Sequence, residues 1–308
     1  MIYISNWHTS YSELLSKVFI KANIFREWDF DQRNFPDNFK HFSLLNVFLT
    51  IKKGDTLIAN KAIYDLPIII FAMFRRVNIV IVLHGEINRA SSGLKLKIKK
   101  LFYQLLCFSL PNKERSFVCI QESVRDSFKF KNAYVIQPFV KLRQISEIDI
   151  TRSVVVANKL SRFHFDKEFL LLVHRNIAPL TVIGRDNNNL KGKYPFKFIT
   201  PSKKSEFFLE LDKGGICINC LVYPEASYNL GILDCIAVGM PLISIYRDDL
   251  VFRDGSLLLE NNSNSLKVIN RKLLQKEFLK KNIKKLRDKA SIEFGLSKFR
   301  DNWLNAIK

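Results

Sequence analysis

The chain is short of acid. Its 308 residues hold 29 Asp and Glu against 49 Lys and Arg, a formal charge of +20 at pH 7. Glycine and proline are also few, at 11 and 9, which excludes collagen-like and low-complexity chains. Five cysteines are an odd count in a chain this long, which argues against a disulfide framework. Long apolar runs are missing too. The longest, 67–74, stops at Arg75-Arg76, whereas a spanning helix needs ~20 apolar residues. No basic segment followed by an apolar one opens the sequence, so a secretory leader is not expected. The expectation is a cytoplasmic protein that can still lie on a membrane.

Apolar residues make up 47% of the chain, including 26 Phe, which is too apolar for disorder. The length allows two domains or one large one, with enough chain for a real core. The excess of base runs along the whole chain and calls for an anionic partner: nucleic acid, acidic lipid or a phosphorylated ligand. Two stretches are denser. One contains Lys95-Leu96-Lys97-Ile98-Lys99-Lys100, and the other, 267–308, holds 13 basic residues against 4 acidic ones.

Short apolar runs alternate with segments of helical period. Strands are expected over 2–5, 55–60, 78–83, 116–121 and 133–137, with helices over 11–21, 63–75, 94–108 and 123–128 between them. A polar stretch, 138–150, has no periodicity and serves as a linker. Strands then follow over 153–157, 180–184, 196–199, 215–220 and 241–246. Helices over 165–174, 203–211, 230–238, 273–289 and 297–306 accompany them. β-Branched runs separated by helices imply parallel sheets covered on both faces. The fold class is therefore α/β, with two doubly wound Rossmann-like domains facing across a cleft. The expected boundaries are 1–145 and 146–308, with the last helix able to pack back on the first domain. Ligands of such sheets bind beyond the carboxyl ends of the strands.

Cys217-Ile218-Asn219-Cys220 has CxxC spacing, but no second pair at zinc-ligand spacing follows it. Its apolar surroundings point to a buried strand with structural cysteines. Asp29-Phe30-Asp31 spells a metal-binding Asp-x-Asp, but precedes most of the first sheet and is read as a surface loop.

The most informative stretch is 224–243, which contains Glu225, Asn229, Leu230, Gly231, Asp234, Ala237, Gly239 and Pro241. It combines a strand end, a polar loop, a helix start and a Gly/Pro return into another strand. A helix starting near Asn229 turns free backbone N–H groups and a positive dipole end toward the strand ends, which suits a diphosphate. Asp234, about one turn further in, is placed to accept hydrogen bonds from ribose hydroxyls. An ordinary strand–loop–helix with a Gly/Pro exit would account for the same letters.

This stretch resembles the nucleotide-sugar signature of the GT-B glycosyltransferases, especially the retaining family 4 type. Asp234 matches the second acidic residue of that signature, and Ala237, Gly239 and Pro241 match its tail. The first acidic position falls on Ala226, with Glu225 one place earlier, and Asn229 stands where Gly is usual. The resemblance implies further site residues. His84 and Gly85, after the strand 78–83, would face the donor, with the imidazole donating to a diphosphate or sugar oxygen. Gly184 and Arg185 would border the base. Arg162 and Lys167 would neutralise the leaving diphosphate. The catalytic set is thus His84, Arg162 and Lys167. The donor set is Gly85, Gly184, Arg185, Glu225, Asn229, Leu230, Gly231 and Asp234.

The resemblance implies transfer of a sugar from a nucleotide sugar to a lipid-linked saccharide acceptor in bacterial surface polysaccharide assembly, such as O-antigen, lipopolysaccharide or capsule. It implies retention of configuration and neither metal nor cofactor. It also implies a peripheral position at the inner face of the plasma membrane. The helix 94–108 packs its apolar face on the sheet, lies on acidic lipid, or does both if only its lysine edge meets lipid. Three alternatives remain: a sugar-nucleotide epimerase of the same fold, a partner subunit that binds without turnover, and a basic nucleic-acid-binding protein. No nucleic-acid partner is expected, because the lysines are not interleaved with aromatics on a strand platform and no recognition motif is present.

Overall fold

Chain contacts in the computed structural model divide the protein into two units. Unit 1 is Met1–Phe139 with Leu296–Lys308, and unit 2 is Val140–Gly295. The structure describes residues 1–6, 9–25, 40–60, 62–84, 98, 101–103, 105, 115–120, 122, 125, 133–145, 148–157, 165–184, 190–221, 230–245, 251–260 and 263–307.

Unit 1 is built on seven strands: β1 (Ile2–Ser5), β2 (Ala22–Phe25), β3 (Lys40–Phe42), β4 (Thr56–Ala59), β5 (Asn78–Leu83), β6 (Arg115–Cys119) and β7 (Tyr134–Val135). Every pairing is parallel, in the order β3-β2-β1-β4-β5-β6-β7. The strands are short, and β2 and β4 are buried at every position. That pattern demands cover on both faces.

The first cover is α2 (Leu44–Thr50) and α3 (Ala62–Phe74), which share a core with Tyr103. Ser43 caps α2 by accepting from the Asn46 N–H at 3.1 Å. The second cover is α1 (Thr9–Ser16) and the closing helix of the chain, Leu296–Ala306, whose Trp303 and Phe299 pack with Tyr11 and Leu15. The closing helix is thus part of unit 1, although it follows unit 2 in sequence.

Unit 2 holds a six-stranded parallel sheet, in the order β10-β9-β8-β11-β12-β13. These strands are β8 (Ser153–Val156), β9 (Leu180–Ile183), β10 (Lys197–Ile199), β11 (Ile216–Asn219), β12 (Leu242–Ile245) and β13 (Leu257–Leu259). Its helices are α4 (Lys167–Asn176), α5 (Lys204–Asp212), α6 (Leu230–Ala237), α7 (Ser263–Leu273) and α8 (Lys276–Glu293), which makes the closing helix α9. One core joins strands and helices, from Val154 and Leu170 to Ile236 and Leu286.

Two glycines shape this core. Gly215 enters β11 at φ +130, where an added Cβ would lie 2.9 Å from Val154 Cγ2. Gly239 ends α6 at φ +86, with its N–H on the Ile236 carbonyl and the Met240 N–H on Cys235. This left-handed exit lets the chain turn from α6 into β12.

Candidate functional site

In unit 2 the strand order reverses between β8 and β11, so a crevice is expected beyond their carboxyl ends. The chain arranges polar groups along that edge. The Ala157 N–H bonds the Ile183 carbonyl at 3.0 Å, and the Gly184 N–H bonds Ile199 at 3.0 Å. Gly184 therefore closes β9 in a buried position.

Past β8, the Asp166 N–H reaches the Cys220 carbonyl at 2.9 Å, and Phe165 bridges Leu221. The Asp166 carboxylate caps α4 by accepting from the Phe169 N–H at 2.9 Å. Lys167, partly exposed, is the first residue of α4 and so sits at this same edge. Asn219 ends β11 with its side-chain oxygen on the Leu221 N–H at 3.3 Å.

Leu230 opens α6 and Gly231 follows it, buried. Asp234 lies one turn in and is partly exposed. The first turn of α6 holds no acidic side chain, so its N–H groups and dipole end keep their positive character. Among the candidates, the edge thus gathers Lys167, Gly184, Leu230, Gly231 and Asp234. Arg162, Arg185, Glu225 and Asn229 lie outside the described residues, as do Gly85 and the Asp29-Phe30-Asp31 loop.

The described cysteines are packed into the fold. Cys217, Cys220 and Cys235 are all buried. Burial pushes the Cys220 thiol up. The Cys235 thiol, hydrogen-bonded with Cys217 and buried, is also raised well above its usual range. Neutral thiols of this kind are poor metal ligands and poor nucleophiles. Among the described residues no cluster of His, Cys, Asp and Glu could hold a metal ion.

In unit 1 the strand order reverses between β1 and β4. His84 follows β5 at the carboxyl edge, partly buried, with the Tyr11 ring edge-on at 4.9 Å. Burial raises the Tyr11 phenol, so it stays protonated. Beside it, sequence reasoning missed a polar cluster. The Ser5 hydroxyl donates to Asp65 at 2.6 Å and accepts from the Asn60 N–H at 2.8 Å. The Asn60 amide donates to the Ser5 carbonyl at 2.6 Å and to the Ser12 hydroxyl at 3.3 Å.

Asn6 and Asn60 follow the adjacent strands β1 and β4, 6% and 1% exposed. Among the described residues neither Oδ1 atom has a donor. Such acceptors are complementary to hydroxyl donors. The signal was present in the sequence: Ser5, Asn6 and Asn60 stand at strand ends, and Asp65 is the only charge in an otherwise apolar helix.

Comparison with solved structures gives matches that span nearly the whole of both chains. HepE of Anabaena, solved in complex with UDP-glucose, matches at a TM-score of 0.71 and 11% identity, over 99% of this chain and 98% of that one. An α-glucosyltransferase in complex with UDP and a 13-mer DNA containing an HMU base matches at 0.68 and 12%, over 99% and 98%. The fold is that of the GT-B glycosyltransferases. A third match is a mutant of S. aureus TarM in complex with fondaparinux, alpha-GlcNAc-glycerol and UDP, at 0.61 and 13%. It covers 83% of this chain, which spans only 56% of the length of TarM. A scan of family models gives no match, and neither does a search of curated protein sequences.

Proposed function

We propose that the protein is a glycosyltransferase that moves a sugar from a nucleotide-sugar donor to a saccharide acceptor. The observation that carries this is the carboxyl edge of unit 2. There α6 starts beyond the strand reversal, with no acid in its first turn and Asp234 one turn in.

The chemistry follows from those residues. The donor diphosphate rests on the N-terminal end of α6, beside Leu230, Gly231 and Asn229. The Asp234 carboxylate accepts from the ribose hydroxyls. Gly184 and Arg185 border the base, and Glu225 and Gly85 face the sugar. As the glycosidic bond breaks, negative charge grows on the leaving diphosphate. Lys167, Arg162 and the helix dipole stabilise it, and His84 donates to an oxygen of the donor. These groups supply the positive charge that a divalent metal would otherwise bring, so the reaction is read as metal-independent. Retention of configuration belongs to the same reading.

On the acceptor side, the unpaired Oδ1 atoms of Asn6 and Asn60 suit saccharide hydroxyls. We take the acceptor to be lipid-linked, presented at the inner face of the plasma membrane during surface polysaccharide assembly. A second reading keeps the chemistry and makes nucleic acid the acceptor. The +20 charge favours it, together with the likeness to a glucosyltransferase bound to DNA.

The test is a screen of UDP-, GDP- and other sugar nucleotides for thermal stabilisation and nucleotide release. A ligand at 100 times its dissociation constant adds ~2.7 kcal/mol to stability. If no donor stabilises the protein and none releases nucleotide, the proposal fails.

A further inference from the structure

One face of the unit 1 sheet is covered by α2, α3 and the helical residues 98, 101–103 and 105. Their inward side chains build a single core with β4 and β5. Phe48 of α2 meets Phe71 of α3 edge-on at 5.0 Å, so these helices are neighbours in the layer.

The outward side chains are apolar as well. Leu45 and Leu49, one turn apart, are exposed on α2. α3 exposes Ile63, Tyr64, Ile70 and Phe74, the last at 84%. Ile98, Leu101 and Leu105, spaced to share one helical face, are each more than half exposed. Phe102 and Tyr103 pack toward the sheet. Of the eighteen large apolar side chains exposed among the described residues, nine lie on this one layer. Singly scattered exposed apolar residues are normal, but such a concentration marks an interaction surface.

Charge identifies the occupant. The one charged residue of α2 and α3 is Asp65, which is fully buried in the polar cluster. Exposed Lys52 and Lys53 follow α2, and exposed Arg75 and Arg76 follow α3. An apolar face with a basic border suits an anionic amphiphile surface. A second copy of the same face would bring two basic borders together.

The 13 residues of α3 measure about 20 Å, against the ~30 Å of a bilayer core, so α3 lies along a bilayer and does not cross it. Among the described residues no helix is long and apolar enough to cross a membrane.

We propose that the outer face of α2 and α3, with Ile98, Leu101 and Leu105, seats in the headgroup boundary of an anionic lipid bilayer. The proposal rests on the membrane-side acceptor described above and says which surface meets the lipid. α3 begins two residues after Asn60, so the apolar face starts beside the polar cluster at the strand ends. A lipid-linked saccharide would lay its chain along α3 and bring its hydroxyls to the strand ends.

The experiment is co-sedimentation of the full chain with vesicles of phosphatidylcholine plus phosphatidylglycerol, against phosphatidylcholine alone. The wild type should sediment with the mixed vesicles and far less with the neutral ones. Ile70→Asp with Phe74→Asp should weaken that binding on the order of tenfold or more, and so should Leu45→Asp with Leu49→Asp. Both pairs alter exposed side chains, so urea midpoints should hold and certify the fold.

Absence of sedimentation, equal binding to neutral vesicles, or binding unchanged in both variants would overturn the proposal. So would a concentration-dependent dimer that either variant dissolves, because a second copy would then own the face. Thermal stabilisation by nucleotide is scored separately. Vesicle binding without nucleotide binding sinks the glycosyl-transfer reading alone, and the reverse result sinks this proposal alone.

Discussion

The Ser5 hydroxyl donates to the Asp65 carboxylate at 2.6 Å across sixty residues of sequence, with both side chains fully buried. The same oxygen accepts the Asn60 N–H, so one hydroxyl ties the ends of β1 and β4 to the first turn of α3. A carboxylate at that turn also faces the positive end of the helix dipole, which favours its charge.

Replacing Asp65 by Ala should therefore cost about 1–3 kcal/mol, since a buried hydroxyl loses its acceptor. Asp65→Asn keeps an acceptor oxygen and should cost less. Urea unfolding of the three proteins measures the difference. Equal midpoints for Ala and wild type would mean that the cluster does not hold unit 1 together.

Gly239 is a backbone requirement of the α6–β12 turn. At φ +86 an L side chain is strained, and its Cβ would stand 2.7 Å from Ile145 Cγ2. Ile145 is half exposed and can swing aside, so the left-handed backbone sets most of the cost. Gly239→Ala should lose about 1–2 kcal/mol. Adding Ile145→Ala should recover little of it, which a double-mutant cycle of urea midpoints would show.

Much of the fold was legible in the sequence because its strands are continuous β-branched runs. Asn78–Leu83 occurs as expected, and 55–60, 153–157, 180–184 and 215–220 differ from the observed strands only at their ends. Apart from the eleven-residue helix Ser263–Leu273, the elements that escaped are short. Ala22–Phe25 has four residues and Lys40–Phe42 and Leu257–Leu259 three each, too few to establish a period. Leu44–Thr50 makes barely two turns, and its exposed Leu45 and Leu49 blur the apolar stripe. Around the candidate site the backbone was legible where geometry dictates a residue type, as at Gly239 and the start of α6. The Ser5–Asn60–Asp65 cluster was hidden because its members are distant in sequence and meet only through the strand order.

Glu206 gives unit 2 a pH-dependent contact. Its carboxylate accepts from the Ser202 hydroxyl and the Ser202 N–H, both at 2.8 Å, and these bonds hold its pKa below the ordinary carboxylate value. A lowered folded-state pKa adds stability above the unfolded value, and that stability is lost as pH falls through the folded one. Glu206→Gln should thus flatten the loss of stability between about pH 7 and about pH 3, where carboxylates titrate. Urea midpoints across that range, equal in slope for both proteins, would rule the contact out as a contributor.

In the proposed donor site Asp234 and Lys167 have separate tasks, and their variants should fail differently. Asp234 sits one turn inside α6, and the proposal gives its carboxylate the ribose. Lys167 opens α4 at the same sheet edge, and the proposal gives its ammonium the diphosphate. A hydrogen bond to a charged group contributes ~1.5–3 kcal/mol, or roughly 10–150-fold in affinity. Asp234→Ala should therefore weaken nucleoside monophosphate and diphosphate by similar factors. Lys167→Ala should weaken the diphosphate most and leave the nucleoside nearly untouched. Titration calorimetry with the nucleoside and its mono- and diphosphate separates the two patterns. If both variants bind all three ligands as the wild type does, the donor does not lie on this edge of unit 2.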